Sequence, residues 1–146
     1  MKEMNYADLE RLSSSFVATS GAREPVRRIF LKNYRVQASI GIHAHEQATR
    51  QLVIINVELF FDATLAVQAD QIEQVLDYDF LPTAIKQLTK DRHFNLQETL
   101  CEEILAACLA APGVLAARVS TEKPEAYADC DSVGYEIFWR KELSQT

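Results

Sequence analysis

The sequence predicts an α+β fold: an antiparallel four-stranded sheet with two helices on one face, in the order ββααββ. Three patterns in its 146 residues lead there. Two long stretches in the first half alternate apolar and polar residues with a period of two, the spacing of a strand that buries one face. The middle carries apolar residues at i, i+3, i+4 and i+7, the spacing of a helix with one apolar stripe. Two more alternating stretches close the chain.

Residues 1–26 read as an N-terminal extension, flexible or forming one short helix through Leu9, Leu12, Phe16 and Val17. The stretch Thr19 to Pro25 has the composition of a linker. Residues 27–146 make one domain, which is what this length accommodates. In the first strand Tyr34, Val36, Ala38 and Ile40 alternate with Asn33, Arg35, Gln37 and Ser39. The second runs from Leu52 to Phe61 with Val53, Ile55, Val57, Leu59 and Phe61 on one face. The polar loop between them, Gly41 to Arg50, is too long for a two-residue hairpin turn. Asp79 is placed to cap a helix striped by Leu81, Ala84, Ile85 and Leu88, with Pro82 in its first turn, where a missing N–H costs nothing. Asn95-Leu96-Gln97-Glu98 has the pattern of a capping box opening a second helix, striped by Cys101, Ile104, Leu105 and Cys108 and ended by Pro112-Gly113. Val114 to Thr121 and Val133 to Trp139 are the last two strands. Two helices cover one face of such a sheet and leave both long edges bare. Proteins avoid bare apolar edges, so symmetric assembly of the chain with copies of itself is expected.

Composition narrows the function. A net charge of −6 gives no electrostatic support to a nucleic-acid or anionic-membrane partner. No apolar run approaches the roughly 20 residues of a membrane span, and the first residues lack the apolar core of a secretory signal. Cys101, Cys108 and Cys130 form no C-x-x-C pair. Cys101 and Cys108 lie two helical turns apart on one face, as buried thiols do, and a cytoplasmic location is expected. His43, His45 and Glu46 superficially resemble a metal cluster, but without a further His or Cys nearby no metal site is expected.

Residue by residue, the polar positions have ordinary explanations. Glu98 suits the third position of a capping box, and Glu46 suits a solvated loop. Tyr78 suits a surface position before a helix, Lys123-Pro124 a protected strand end, and His93 a helix C-terminus. In combination they carry a resemblance. Ile29 to Tyr34 and Ile40-Gly41-Ile42-His43-Ala44-His45-Glu46-Gln47 are similar to the opening of the dihydroneopterin aldolase family. Val57-Glu58-Leu59, Leu76-Asp77-Tyr78, Asn95-Leu96-Gln97-Glu98, Thr121-Glu122-Lys123-Pro124 and Asp131 to Ile137 continue it in order, over about residues 28–141.

The resemblance implies the tunnelling fold, in which sheets of several subunits join into a barrel and two tetrameric rings stack as an octamer. It implies Glu98 as the carboxylate that anchors a reduced pterin, with Leu76, Asp77 and Gln97 also in the binding site. It further implies Lys123 as the general acid/base, Glu46 as the loop glutamate near the reacting side chain, and Tyr78 as a catalytic residue reaching a neighbouring subunit's pocket. The activity implied is retro-aldol cleavage of dihydroneopterin to hydroxymethyl-dihydropterin and glycolaldehyde, in folate biosynthesis. Neither metal nor organic cofactor is expected, because the substrate's own ring C=N can receive the electrons of the broken bond. Two alternatives stay open: dihydroneopterin triphosphate epimerase, a paralogue that the segment Ala126 to Asp129 also resembles and whose reaction starts with the same cleavage, and a catalytically silent pterin-binding paralogue. The extension and Gln97, at a position where an aliphatic residue is common, depart from the family pattern.

Overall fold

A computed structural model describes residues 10–11, 26–61, 70–72 and 76–141. Within them the order is β1 (Arg27–Ile40), α1 (Ala44–Ala48), β2 (Gln51–Phe61), α2 (Phe80–Thr89), β3 (His93–Phe94), α3 (Gln97–Ala110), β4 (Val114–Lys123) and β5 (Val133–Arg140). The short helix expected in the extension lies outside the described residues, apart from the helical pair Glu10 and Arg11.

The α+β class and the two principal helices are as expected, but the sheet has five strands and is mixed. Its order is β3-β1-β2-β4-β5. The four long strands pair antiparallel, and the two-residue β3 runs parallel to β1, with Ser39 opposite His93 and Ile40 opposite Phe94. Sequence periodicity cannot announce a two-residue strand. What makes this one is a buried Phe94 side chain and a backbone bond from the Gly41 N–H to the Phe94 carbonyl at 2.8 Å. The loop after β1 is likewise not bare coil, since it holds the one-turn helix α1.

Asp79 stands at the N-cap of α2 as expected, but with helical φ and ψ and no side-chain cap bond. Instead Asp77 Oδ1 accepts the Asp79 N–H at 2.9 Å. The capping box at Asn95 does not form: the N-cap is Leu96, so Glu98 stands second in α3 rather than third. Tying of the chain to β1 through Phe94 keeps it extended past Asn95 and delays the helix.

The core lies between the helices and one sheet face. Ala38 and Ile40 of β1, Val53, Ile55, Val57 and Leu59 of β2, and Ala117 and Val119 of β4 meet Leu81 and Ile85 of α2 and Leu100, Cys101, Ile104, Leu105 and Cys108 of α3. Each large side chain so buried contributes about 1.5–3 kcal/mol relative to exposure. Burial pushes the Cys101 and Cys108 thiols up to about 12, so both behave as small apolar groups, as expected. The opposite sheet face carries a small apolar cluster around Phe60, Ala116 and Phe138 and, beside it, a polar region. There Arg118 lies buried between Glu58 at 2.8 Å and Glu10 at 2.6 Å, in a hollow of about 600 Å³. No helix among the described residues is long and apolar enough to cross a membrane.

Candidate active site

Antiparallel pairing of β2 with β4 sets Ile54 opposite Glu122, so Lys123 at the end of β4 lies beside the start of β2 and the loop that precedes it. That loop turns at Gly41, whose φ of +126° favours glycine. Its N–H is bonded to Phe94 and its carbonyl accepts from His93 Nε2 at 2.9 Å. Since a carbonyl only accepts, Nε2 carries the proton, and Nδ1 faces the Ser39 hydroxyl at 2.6 Å. His93 is therefore a strand residue pinning the turn, not the helix-terminal histidine expected from sequence.

The turn makes room for Glu46. A Cβ on Gly41 would stand 2.1 Å from the Glu46 carboxyl carbon. Glu46 is 7% exposed, and is thus not the solvated loop acid that its setting in a polar loop allowed. Its Oε2 accepts from Lys123 Nζ at 2.7 Å and from Gln51 Nε2 at 2.9 Å, and Gln51 also donates to the Ile40 carbonyl at 2.8 Å. Burial by itself would raise the Glu46 carboxyl. The hydrogen bonds from Lys123 and Gln51, the Lys123 charge and a backbone bond at His43 outweigh it and hold the group at about 2. Glu46 is thus a carboxylate at neutral pH, paired with a Lys123 whose side chain is 13% exposed.

This pair opens into a cleft of about 530 Å³. Glu98 and Gln97, at the opening of α3, line the same cleft, as do His43, His45, Arg50, Glu125 and Tyr127. Arg50 is committed elsewhere: its guanidinium donates to the carbonyls of Gln37, Thr89 and Lys90. The rings of His43 and His45 stack, their centroids 5.7 Å apart.

Of the residues singled out from sequence, one chain brings Glu46, Lys123, Glu98 and Gln97 together. It does not bring Leu76, Asp77 or Tyr78 to them. Leu76 packs against the core, Asp77 turns its carboxylate onto the backbone of Asp79, and Tyr78 stands 59% exposed; none of the three lines the cleft. Sequence reasoning missed Gln51 altogether and misplaced His93. The only signal for Gln51 was its place, five residues after Glu46 at the opening of a strand.

The dihydroneopterin aldolase family model, FolB, matches residues 29–138, which takes in both arms of this cleft. The chain belongs to the FolB family. A dihydroneopterin triphosphate 2'-epimerase of Pseudomonas aeruginosa is 34% identical over 106 residues, 73% of this chain and 86% of that protein. Among solved structures, a dihydroneopterin aldolase of Burkholderia thailendensis bound to guanine superposes with a TM-score of 0.73 and 44% identity, covering 80% of this chain and 93% of that one. The Escherichia coli dihydroneopterin aldolase in complex with neopterin gives a TM-score of 0.72 at 25% identity, over 77% of this chain and 98% of that one. The chain therefore has the subunit fold of FolB enzymes, a curled mixed sheet with helices on one face. The family's enzymes of pterin metabolism carry two names, aldolase and epimerase, and the FolB match spans both.

Proposed function

We propose that this FolB protein is a cytoplasmic dihydroneopterin aldolase of folate biosynthesis, working without metal or organic cofactor. The observation that carries the reading is the Lys123–Glu46 ion pair, 2.7 Å long and nearly buried, at the wall of a cleft that also holds Glu98. Glu98 binds the amino and ring N–H groups of the pterin, a two-point contact that suits a carboxylate. A base takes the proton from the hydroxyl on the second side-chain carbon. The bond between the first and second carbons then breaks, its electrons pass into the ring C=N, and glycolaldehyde leaves. Protonation at the first carbon completes hydroxymethyl-dihydropterin. Lys123, held in place by Glu46, and Tyr78 of a neighbouring subunit carry these protons. Each such group typically accelerates a reaction about 10²–10⁴-fold. Subunits joined edge to edge in tetrameric rings, stacked as an octamer, supply that neighbour.

The epimerase reading has the 34% identity to the Pseudomonas aeruginosa protein in its favour. Cleavage followed by closure on the opposite face would use the same groups. Charge supports the aldolase. A triphosphate tail wants uncommitted cations, yet among the described residues the two Lys/Arg side chains lining the cleft are already engaged, Lys123 by Glu46 and Arg50 by three carbonyls. Glu46, Glu98 and Glu125 line it as well. Product analysis with dihydroneopterin and with its triphosphate decides the matter. Glycolaldehyde from the unphosphorylated substrate is expected; epimerisation of the triphosphate alone would reverse the assignment, and no reaction with either would make the protein a silent pterin binder.

A further inference from the structure

Gln97 opens α3 one residue before Glu98 and is tied to β4. The Thr121 hydroxyl, fully buried two residues before Lys123, donates to Gln97 Oε1 at 3.0 Å. A buried hydroxyl requires a partner, and this one fixes the orientation of the amide: carbonyl oxygen toward β4, NH2 group away from it. Gln97 is half-buried and lines the cleft next to Glu98. Gln97 Oε1 is thus taken by Thr121, whereas its NH2 group makes no hydrogen bond among the described residues. The cleft is thus lined by two consecutive residues, a carboxylate that only accepts and an amide whose oxygen is already engaged and whose NH2 donors are left to offer.

We propose that Gln97, locked by Thr121, is a specificity residue that reads the ring carbonyl beside the edge bound by Glu98. The assignment rests on the pterin reading of the cleft. A 2-amino-4-oxo pyrimidine ring shows three groups in a row: an NH2 donor, a ring N–H donor and a carbonyl acceptor. A carboxylate pairs with the first two and repels the third, and the amide donor beside it satisfies that third group. Guanine carries the same row, and it is the ligand in the Burkholderia thailendensis aldolase structure. An aliphatic residue at 97 would offer the carbonyl no side-chain donor and would remove the acceptor of a buried hydroxyl. The polar pair Gln97–Thr121 accordingly works as a unit.

Guanine and 6-thioguanine test this, because they differ at the one atom concerned and sulfur is a weak acceptor. Calorimetric titration of the assembled wild-type protein should show guanine bound about 3- to 10-fold more tightly, the value of one neutral hydrogen bond. In Gln97→Leu/Thr121→Val, which removes both members and leaves no buried hydroxyl stranded, the preference should fall to about 1. Thr121→Val alone, with the amide unlocked, should fall between. Gln97→Met with Thr121→Val serves the same purpose if leucine disturbs the helix opening. A double variant that binds guanine with the wild-type preference overturns the role of Gln97 and leaves the pterin site standing. A wild-type protein that binds neither guanine nor dihydroneopterin overturns both.

Discussion

At the scale of single residues, the decisive contest is over the Glu46 carboxyl. Burial opposes its charge, while Lys123 and Gln51 favour it and win, holding the group at about 2. The linkage has a definite sign. An acid whose folded value lies below its unfolded value of about 4.3 stabilises the fold above that pH, and the contribution is lost as pH falls toward about 2. The loss amounts to on the order of 2–3 kcal/mol. Glu136 runs the other way: burial raises it against the pull of Arg118, so its protonation relieves a cost, and does so above the range in which Glu46 titrates. Between pH 4.5 and 2, therefore, the melting temperature of the wild type should fall more steeply than that of Glu46→Gln, which starts lower because Lys123 has lost its counter-charge. Parallel slopes would mean that Glu46 is not held ionised by this pair. The residue types at this site were legible in the sequence, but not their state. Glu46 looked like a loop acid because its burial depends on a glycine turn pinned by His93, 52 positions away from Gly41 in the chain.

At the scale of elements, the sheet has one apolar face under the helices and a second face that combines a small apolar cluster at Phe60 with a polar network around Arg118. Its guanidinium, 7% exposed, bridges Glu58 and Glu10, and Glu58 also meets Arg28 at 3.5 Å. Removing one partner of a buried pair strands the other charge, at about 3–5 kcal/mol; Arg28 remains to serve Glu58, so Arg118→Met should cost about 3 kcal/mol. Glu10, 46% exposed, is a surface partner, and Glu10→Ala should cost less than about 1 kcal/mol. Deleting residues 1–26 should cost no more than that, with turnover kept. Denaturant midpoints for the three variants check the order, and a truncation as damaging as Arg118→Met would make the extension part of the domain. The four long strands and two main helices were legible because each repeats its period over eight residues or more. The element β3 and the delayed start of α3 were not, because both follow from one tertiary contact, Phe94 against β1.

At the scale of the whole molecule, Lys123, Glu46, Glu98 and Gln97 of one chain share a cleft, and Tyr78 stands exposed outside it. The strands β3 and β5 end the sheet, and neither edge has a neighbour within the described residues. Ring closure through those edges would bring the Tyr78 of one subunit to the cleft of the next, as the proposed mechanism requires. This makes the two residues separable by genetics. Tyr78→Ala and Lys123→Ala proteins should each be nearly inactive, since each spoils every site in a uniform ring. Unfolded together in equal amounts and refolded, they mix at random. A site then works only where a Tyr78→Ala subunit supplies Lys123 and a Lys123→Ala neighbour supplies Tyr78, which happens in about a quarter of head-to-tail interfaces. Activity should recover to about that fraction of wild type, while mixing the folded proteins without subunit exchange should recover none. A co-refolded mixture as inactive as its components would place Tyr78 outside the chemistry, and the exposed ring would then be a surface residue before a helix.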